Sequence, residues 1–278
     1  MKKLVLTGAA GRLGSYLREP LSKMADELVS TDIAENIGTL YPGESYMQAD
    51  LASLEQISAV LEGADMVVHF GAIVDEAPFD EILGPNIIGA YNVWEAAHQH
   101  GVRRVVYASS VHAVGMYPSA DCIGIDAPHR PDSFYGLAKC FAEDLGRLYW
   151  EKRGLESVHM RIFSCAKVVS TRSLATWLSY DDLIRLVTRA VDTPTTGFSI
   201  VYGISNNDRM PVNNAGASHL GYRPQDNAEQ FAPKILAAAP PADPSDPAQM
   251  CIGGPFTTIE LGESGLAKMT IVDDRKKL

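Results

Sequence analysis

The chain has 278 residues, which is enough for one sizeable α/β domain with a substantial core. Hydrophobic residues make up 46% and charged residues 21%, proportions of an ordinary soluble enzyme that exclude a low-complexity or membrane-embedded protein. Lys+Arg 24 against Asp+Glu 34 gives a net charge of -10 with scattered basic residues, which disfavours a nucleic-acid partner.

The cysteines are widely spaced and predict neither a zinc site nor a disulfide framework. They are Cys122, Cys140, Cys165 and Cys251, and no C-x-x-C pair occurs. We expect no metal site. The N-terminal apolar run reaches glycines too soon for a signal peptide, and no apolar run approaches the ~20 residues needed to cross a bilayer. These features predict a cytoplasmic protein without a membrane partner.

The chain begins with a strand, a tight turn and a helix. Residues 3–7 are short, apolar and β-prone, a glycine-rich turn occupies residues 8–14, and a helical stretch continues to about Met24. The expected elements that follow are a strand at 27–31, a third strand ending at Asp50, a helix at 53–62, a strand at 66–70, a helix at 80–100, a strand at 103–108, a helix at 133–152 and a strand at 157–163.

This alternation predicts a Rossmann-type doubly wound parallel sheet, with the ligand at the carboxyl ends of the strands. We assign residues 1–163 to the nucleotide-binding core. Residues 164–278 form a small substrate-binding region, mostly integrated into the same domain. Its expected features are helices at 180–191 and 227–238, a strand at 198–202, a proline-rich linker at 237–244 and a frayed end at 273–278.

The turn after the first strand has the pattern G-x-x-G-x-x-G of a dinucleotide site. Gly8 permits the sharp turn, Gly11 lets the backbone approach a pyrophosphate, and Gly14 lets the helix pack closely on the strand. The phosphate then lies at a helix N-terminus, where unpaired N–H groups and the helix dipole favour an anion. We therefore place the turn residues in the cofactor site, including Ala10, Arg12 and Leu13.

Asp32 ends the second strand at the distance expected for a carboxylate that accepts both adenosine ribose hydroxyls. Its charge would repel a 2′-phosphate, which favours NAD over NADP, although Arg12 is a candidate partner for such a phosphate. Asp50 and Leu51 after the third strand are predicted near the adenine. Gly71 and Ala72 after the fourth strand are predicted against the nicotinamide ribose, and either pair is also compatible with ordinary turn chemistry.

Tyr135 and Lys139 are candidates for proton removal from an alcohol. They are four residues apart on the helix predicted at 133–152, so they share one face, and the lysine charge together with an oxidised nicotinamide would lower the tyrosine pKa from ~10. Ser110, at the end of the fifth strand, can donate a hydrogen bond to the reacting oxygen. Tyr-x-x-x-Lys alone is a common helical pattern, and the strand-end serine and the glycine turn are what favour catalysis.

Six segments together resemble the extended short-chain dehydrogenase/reductase family (NAD-dependent epimerases and dehydratases), and within it the uronate dehydrogenases. They are residues 7–11, 86–92, 108–110, 135–141, 161–165 and 176–182. The resemblance implies NAD-dependent oxidation of the anomeric carbon of a cyclic hexuronic acid to a lactone, with Tyr135 as base, Lys139 as its electrostatic partner and Ser110 as the orienting hydroxyl. We also place Asn86, which begins the second segment, among the cofactor-binding residues.

The resemblance further implies that Ser110, His112, Ser164 and Arg172 hold the substrate carboxylate. Two positions depart from the family: Val74 replaces a serine and Val111 an asparagine. Each lost partner of a buried polar group costs ~1–3 kcal/mol, so compensation or a different substrate is required. Lys167, Asn207 and Arg209 lie in segments that could line the pocket, and a second cation beside Arg172 would suit a stronger anion at C6.

A hexuronate is the leading substrate, and a sulfonated (sulfoquinovose) or phosphorylated hexose is the alternative. Two other functions stay open: a nucleotide-sugar epimerase or dehydratase, which retains its NAD through the cycle, and a non-catalytic NAD-binding sensor. The partners expected are an acidic sugar and further copies of the chain, which would contact one another through the helices at 80–100 and 133–152.

Overall fold

The computed structural model describes residues 1–269, and the strands in this range form a parallel sheet of seven. The strands are β1 (Lys3–Thr7), β2 (Glu27–Asp32), β3 (Glu44–Gln48), β4 (Met66–His69), β5 (Arg104–Tyr107), β6 (Glu156–Ile162) and β7 (Phe198–Gly203). They lie in the order β3-β2-β1-β4-β5-β6-β7 and every neighbouring pair is parallel. The predicted Rossmann-type doubly wound sheet is confirmed.

Helices cover both faces of the sheet. They are α1 (Arg12–Ser22), α2 (Leu54–Leu61), α3 (Phe79–Ile82), α4 (Gly89–Gln99), α5 (Phe134–Arg153), α6 (Thr171–Thr176), α7 (Tyr180–Asp192), α8 (Ala232–Ala238) and α9 (Pro247–Met250). One buried cluster packs α1 and α7 against one face, and a second packs α2, α4 and α5 against the other. Within the described residues, no helix has both the length and the apolar character that a membrane span requires.

Local sequence explains these elements. In β4 and β5 every residue is buried, as expected for central strands covered on both faces. Helix α7 instead buries one stripe, at Leu183, Leu186 and Val187, and Ser179 caps its start by accepting from the Asp182 N–H. The central strands are thus buried along their whole length, whereas the helix that connects two strands is buried along one stripe.

Two predicted helices are interrupted. The helix expected at 80–100 consists of α3, a π-helical stretch at Leu83–Ile88, and α4. Pro85 lies in that stretch and has no N–H to donate, so the α-helical hydrogen-bond register is broken there. The helix expected at 227–238 begins as a 3₁₀ turn at Ala228–Phe231, and α8 follows with a proline in its first turn.

The region after residue 163 contributes both to the sheet and to its C-terminal edge. Strand β7 pairs with β6 along six residues. Residues 251–269, called here the C-terminal segment, return to the edge where the parallel strands end, and the Ile252 N–H and Gly253 N–H donate to the carbonyls of Tyr117 and Gly115. The predicted frayed end at 273–278 lies outside the described residues.

Candidate active site

A cavity of about 990 Å³ opens at the C-terminal edge of the sheet. It lies at the point where the strand order reverses between β1 and β4, which is where open α/β sheets bind ligands. Its walls are the turns after β1, β2, β4, β5 and β6, the first turn of α5, and the C-terminal segment. Among residues 1–269 no group of three or more His, Cys, Asp or Glu side chains is arranged to hold a metal ion.

The glycine turn packs its own backbone closely at the start of α1. Gly8 has φ +72°, and a Cβ there would lie 2.5 Å from the Gly71 nitrogen. A Cβ at Gly14 would lie 1.9 Å from the Gly8 oxygen, so α1 can approach the turn only with glycine at this position. Gly11 is the N-cap of α1 and no side chain caps its N–H groups. These groups therefore face the cavity as an anion site.

Asp32 and Thr31 close the cavity at the end of β2. The Asp32 carboxylate lines the cavity and accepts from the N–H of Ala10 at 2.9 Å and of Ala34 at 3.2 Å. The Thr31 hydroxyl also lines it and is buried without a hydrogen-bond partner within the described chain. A carboxylate fixed by backbone donors beside an unpartnered hydroxyl suits the hydroxyls of a ribose.

Arg12 also lines the cavity, but its guanidinium is engaged by protein. Its Nη1 donates to the Cys165 carbonyl oxygen and approaches the Tyr180 hydroxyl at 3.4 Å. The side chain therefore joins the glycine turn to the segment after β6. The sequence had offered Arg12 as a partner for a 2′-phosphate, and these contacts compete with that role.

The turns after β3 and β4 form the adjoining wall. Asp50, Leu51, Gly71 and Ala72 all line the cavity, as does Leu13. A Cβ at Gly71 would lie 2.8 Å from the Leu51 side chain, so only glycine allows the two turns to pack this closely.

Asn86 does not line the cavity. Its amide accepts from the Ile73 N–H at 2.8 Å and donates to the Ile73 carbonyl at 2.9 Å, which uses both ends of the side chain. It is 2% exposed. The buried amide of Asn86 holds the turn after β4, and Ile73 lines the cavity beside it, while cofactor binding by Asn86 stays a prediction.

Tyr135, Lys139 and Ser110 come together at the centre of the cavity. Ser110 and Tyr135 both line the cavity, and the Lys139 Nζ lies 5.3 Å from the centre of the Tyr135 ring. The Lys139 Nζ donates to the Ala108 carbonyl at 2.8 Å, which aims the side chain from α5 toward the end of β5. The four-residue spacing predicts that Tyr135 and Lys139 share one face of α5, and their side chains do lie close together in the structure.

Burial dominates the electrostatics of Tyr135 and Lys139 in the absence of a nicotinamide. Burial raises the pKa of Tyr135 to about 12, and the hydrogen bond from Ser110 opposes this shift. Burial also lowers the pKa of Lys139 to about 7, although the Glu143 carboxylate one turn further along α5 opposes that shift. The protein groups alone therefore disfavour the phenolate, because burial has the largest influence on the pKa of Tyr135.

Arg172 carries a buried cation without an anionic partner in the described residues. Its Nη1 donates to the Ser164 hydroxyl at 3.1 Å and its Nη2 to the Ile252 carbonyl at 2.9 Å, while its Nε is buried with no hydrogen-bond partner. Burial lowers the pKa of Arg172 to about 10, and the Asp132 carboxylate opposes this shift. Arg172 and Ser164 both line the cavity, so this corner is prepared for an anion.

The two departures from the family pattern also line the cavity. Val111 is 3% exposed and Val74 is 60% exposed, so one lies in the cavity floor and the other at its mouth. His112 lines the cavity between them and Tyr135, with ring centres 5.7 Å apart in an edge-to-face arrangement.

The three further pocket candidates, Lys167, Asn207 and Arg209, do not line the cavity, so neither Lys167 nor Arg209 adds a second cation beside Arg172. Arg209 pairs on the surface with Glu229 at 3.0 Å, and Asn207 donates to the Trp177 carbonyl at 2.8 Å. Lys167 is exposed and is not a lining residue. The expectation that they line the pocket is wrong, because the chain after β6 turns their side chains outward or into α6 and its neighbours.

Sequence reasoning missed the C-terminal segment. Phe256 stacks on the His112 ring with centres 3.9 Å apart, and a Cβ at Gly254, which has φ +64°, would lie 2.3 Å from the Arg172 Nε. The buried Glu76 carboxylate accepts from the Tyr135 N–H at 2.8 Å and from the Gly262 N–H at 2.9 Å. The only sequence signal for this closure is the glycine pair before Pro255 and Phe256.

Comparison with known proteins places the chain in a family. The model of the NAD dependent epimerase/dehydratase family matches residues 4–166. A uronate dehydrogenase of Pseudomonas putida is 44% identical over 256 residues, covering 91% of this chain and 95% of that protein.

Two solved structures have the same fold over most of the chain. A mutant uronate dehydrogenase from Agrobacterium tumefaciens complexed with NAD has a TM-score of 0.89 at 42% identity, covering 94% of this chain and 98% of that chain. A glucuronic acid dehydrogenase from Chromohalobacter salexigens has a TM-score of 0.90 at 41% identity, covering 93% and 97%. The resemblance drawn from the six sequence segments is thereby confirmed, and the chain belongs to the NAD dependent epimerase/dehydratase family.

Proposed function

We propose that this protein oxidises the anomeric C1 hydroxyl of a cyclic hexuronate to a lactone, with NAD as oxidant. The observation that carries the proposal is the Arg172 guanidinium, which has a buried Nε and no anionic partner in residues 1–269 and opens onto the same cavity as Ser110, Tyr135 and Lys139. An acidic sugar held at one end by Arg172 presents another part of its ring to the phenol. The similar proteins named above are dehydrogenases of uronic acids, which supports this substrate class.

The cavity fits a dinucleotide. Gly8 and Gly14 allow β1, its turn and α1 to pack closely beside the cavity, and the uncapped start of α1 provides donors for a pyrophosphate. Asp32 provides the acceptor for the adenosine ribose and repels a 2′-phosphate, which supports NAD rather than NADP. Asp50, Leu51, Gly71 and Ala72 would complete the wall around the nucleotide.

The proposed reaction removes a proton from the C1 hydroxyl and a hydride from C1 itself. NAD, when bound, accepts the hydride and adds a positive charge beside the phenol. The Tyr135 phenolate takes the C1 hydroxyl proton, while the Ser110 hydroxyl orients the same oxygen. Lys139 in its charged form stabilises the phenolate, and its bond to the Ala108 carbonyl keeps the ammonium group close to the ring. C1 becomes the carbonyl carbon of the lactone.

The substrate side of the cavity recognises the carboxylate. Arg172 and Ser164 supply donors for the carboxylate, and His112 supplies a polar contact for another part of the sugar. Val74 and Val111 offer apolar surface in place of two polar partners, so the ring must be held by fewer hydrogen bonds. We assign this substrate-binding role to residues 164–269 together with the turns after β4 and β5, within the same domain as the nucleotide-binding core.

We further propose a homo-oligomer that forms through α4 and α5, in the cytoplasm. Both helices and the π-helical stretch expose large apolar side chains that need cover. They are Ile88 (41%), Tyr91 (44%), Leu137 (45%), Phe141 (36%) and Leu148 (51%). All four cysteines are free, which supports a reducing compartment.

Initial rates of NADH formation test the substrate class. We expect glucuronate and galacturonate to be oxidised faster than sulfoquinovose, glucose 6-phosphate and glucose. Arg172→Met should lower kcat/KM for the uronates about 10- to 150-fold, as expected when a hydrogen-bonded charge pair is lost. Arg223→Met, which changes an exposed arginine, is the matched control and should leave the rates unchanged. Faster turnover of glucose than of either uronate would reject the proposal.

A further inference from the structure

His112 is held by a buried carboxylate on its side away from the cavity. Its Nδ1 lies 2.8 Å from the Asp132 Oδ2, and the two side chains are 13% and 0% exposed. The other oxygen of Asp132 accepts from the Ser133 hydroxyl at 2.8 Å, and Ser133 in turn caps α5 by accepting from the Gly136 N–H. The carboxylate therefore links the imidazole to the start of the helix that carries Tyr135.

Two glycines enclose this carboxylate. A Cβ at Gly115 would lie 1.8 Å from the Asp132 Oδ2, and a Cβ at Gly253 would lie 1.9 Å from the same atom. The Gly253 N–H also donates to the Gly115 carbonyl at 2.8 Å, so the two backbones hold each other across the carboxylate. Asp132 thus has almost no freedom to move, and the C-terminal segment forms one wall of its pocket.

The imidazole is equally constrained. Phe256 stacks on one face with ring centres 3.9 Å apart, and the edge of the ring meets Tyr135. An imidazole that donates its Nδ1–H to a carboxylate has its free lone pair on Nε2. His112 lines the cavity, so Nε2 is the nitrogen available to a ligand there, while Arg172 provides the positive charge.

We propose that Asp132 is a positioning residue that keeps His112 in the Nδ1-protonated form, so that Nε2 accepts a hydrogen bond from a ring hydroxyl of the substrate. That hydroxyl is not the reacting one at C1, whose proton goes to Tyr135. The inference rests on the proposed function, because it concerns how the same cavity reads the sugar. The Nε2 of His112 would supply a hydrogen-bond acceptor in the part of the cavity where Arg172 supplies donors.

Kinetics with deoxy sugars test the acceptor. We expect wild-type enzyme to lose about 5- to 150-fold in kcat/KM with one of 2-, 3- or 4-deoxyglucuronate relative to glucuronate, the range for one lost hydrogen bond to a buried group. Asp132→Asn keeps the shape but can present an N–H to the imidazole and favour the wrong tautomer. With glucuronate, the kcat/KM of Asp132→Asn should be lower than that of wild type by a similar factor. With that deoxy sugar, the kcat/KM of Asp132→Asn should not fall below its own value for glucuronate. Asp126→Asn, at an exposed carboxylate of the same connection, should match wild type.

Nitrogen-15 NMR of histidine-labelled protein tests the tautomer without turnover. The His112 signals, assigned by comparison with His112→Asn, should show a protonated Nδ1 and an unprotonated Nε2 in the wild type. An Nε2-protonated ring would overturn the inference, as would active wild-type enzyme whose kcat/KM is unaffected by Asp132→Asn. Wild-type protein that oxidises no uronate would instead reject the proposed function, and the NMR result would still decide the role of Asp132.

Discussion

The Tyr135 phenol and the Lys139 ammonium group share surroundings that disfavour the charged form of each. Burial raises the pKa of Tyr135 to about 12 and lowers the pKa of Lys139 to about 7. Lys139 is 2% exposed, so little water screens its charge. Near neutral pH a modest change in local charge therefore alters the protonation of Lys139, whereas Tyr135 stays protonated until a large stabilisation lowers its pKa.

Replacing Tyr135 with phenylalanine removes the base and leaves the ring in place. We expect kcat to fall about 100- to 10,000-fold, the usual range for loss of general acid–base catalysis, while NAD affinity measured by calorimetry is unchanged. Tyr91→Phe, at a 44% exposed tyrosine of α4, is the control for the loss of a phenol hydroxyl. Retention of most activity in Tyr135→Phe would show that another group accepts the proton.

Lys139 also predicts a pH dependence of stability. Its pKa falls from 10.5 to about 7 on folding, so the unfolded chain binds more protons between these values and stability rises with pH across that window. Lys139→Met removes this contribution. The slope of the unfolding free energy against pH, measured with urea from about pH 7.5 to 9.5, should be less positive by about 1 kcal/mol per pH unit.

Lys234→Met, at an exposed lysine of α8, should keep the wild-type slope. Equal slopes in Lys139→Met and wild type would mean that Lys139 stays charged in the folded protein.

Individual site residues differed in how well the sequence predicted them. Tyr135, Lys139 and Ser110 were predictable because helical spacing and a strand end place them together. The hydrogen bonds of Asn86 with the Ile73 backbone were not predictable, because the motif gives no sign of this contact. Phe256 was missed because its contact with His112 joins residues far apart in sequence across a surface that no periodicity describes.

At the scale of elements, the turn after β4 ties the catalytic helix to the C-terminal segment. Glu76 is 2% exposed and bonds the first turn of α5 through Tyr135 and the C-terminal segment through Gly262. Next to it, Asp75 accepts from the N–H groups of Gly265 and Leu266 at 2.9 and 3.0 Å. The segment that covers the substrate side is thus fastened by two adjacent carboxylates.

Glu76→Gln tests this attachment. The amide has one acceptor oxygen for two N–H donors, so one buried N–H loses its partner and the unfolding free energy should fall by about 1–3 kcal/mol. Because that bond also positions Tyr135 or Gly262, kcat/KM for glucuronate should fall with it. Urea denaturation and initial rates measure the two effects, and Glu81→Gln, at an exposed glutamate of α3, is the control. Unchanged stability and rates would remove Glu76 from this role.

Element boundaries departed from expectation where proline intervenes. The apolar period of residues 80–100 correctly indicated helix, but Pro85 converts its middle into a π-helical stretch. In the same way the helix predicted from residue 227 begins at Ala232, next to Pro233. The period of the apolar residues shows which face of a helix is buried, but it does not show where a proline removes a backbone N–H donor.

For the whole molecule, strict alternation of strands and helices was sufficient to predict the parallel sheet and the edge that holds the cavity. It gave no information on residues 251–269, because their contacts with the site depend on how the chain returns over the completed sheet. The alternation likewise gave no information on the oligomeric state, which depends on the whole surface of the folded chain.

We expect a dimer by light scattering after size-exclusion chromatography, formed by the apolar side chains of α4 and α5. The pair Ile88→Glu and Phe141→Glu, which places charges on two exposed apolar positions, should yield a monomer. Glutamate at exposed Leu236 of α8 should leave the mass unchanged. A wild-type monomer at all concentrations would contradict the proposed interface.

Product analysis by carbon-13 NMR tests the central claim most directly. Glucuronate labelled at C1 is incubated with wild-type protein and excess NAD, and NADH is followed in the same sample. The proposed chemistry predicts that the anomeric carbon signal is replaced by that of a lactone carbonyl, with one NADH formed per lactone. A sugar whose C1 remains anomeric, with no net NADH or with inversion at another ring carbon, would contradict oxidation at C1 and favour an isomerase.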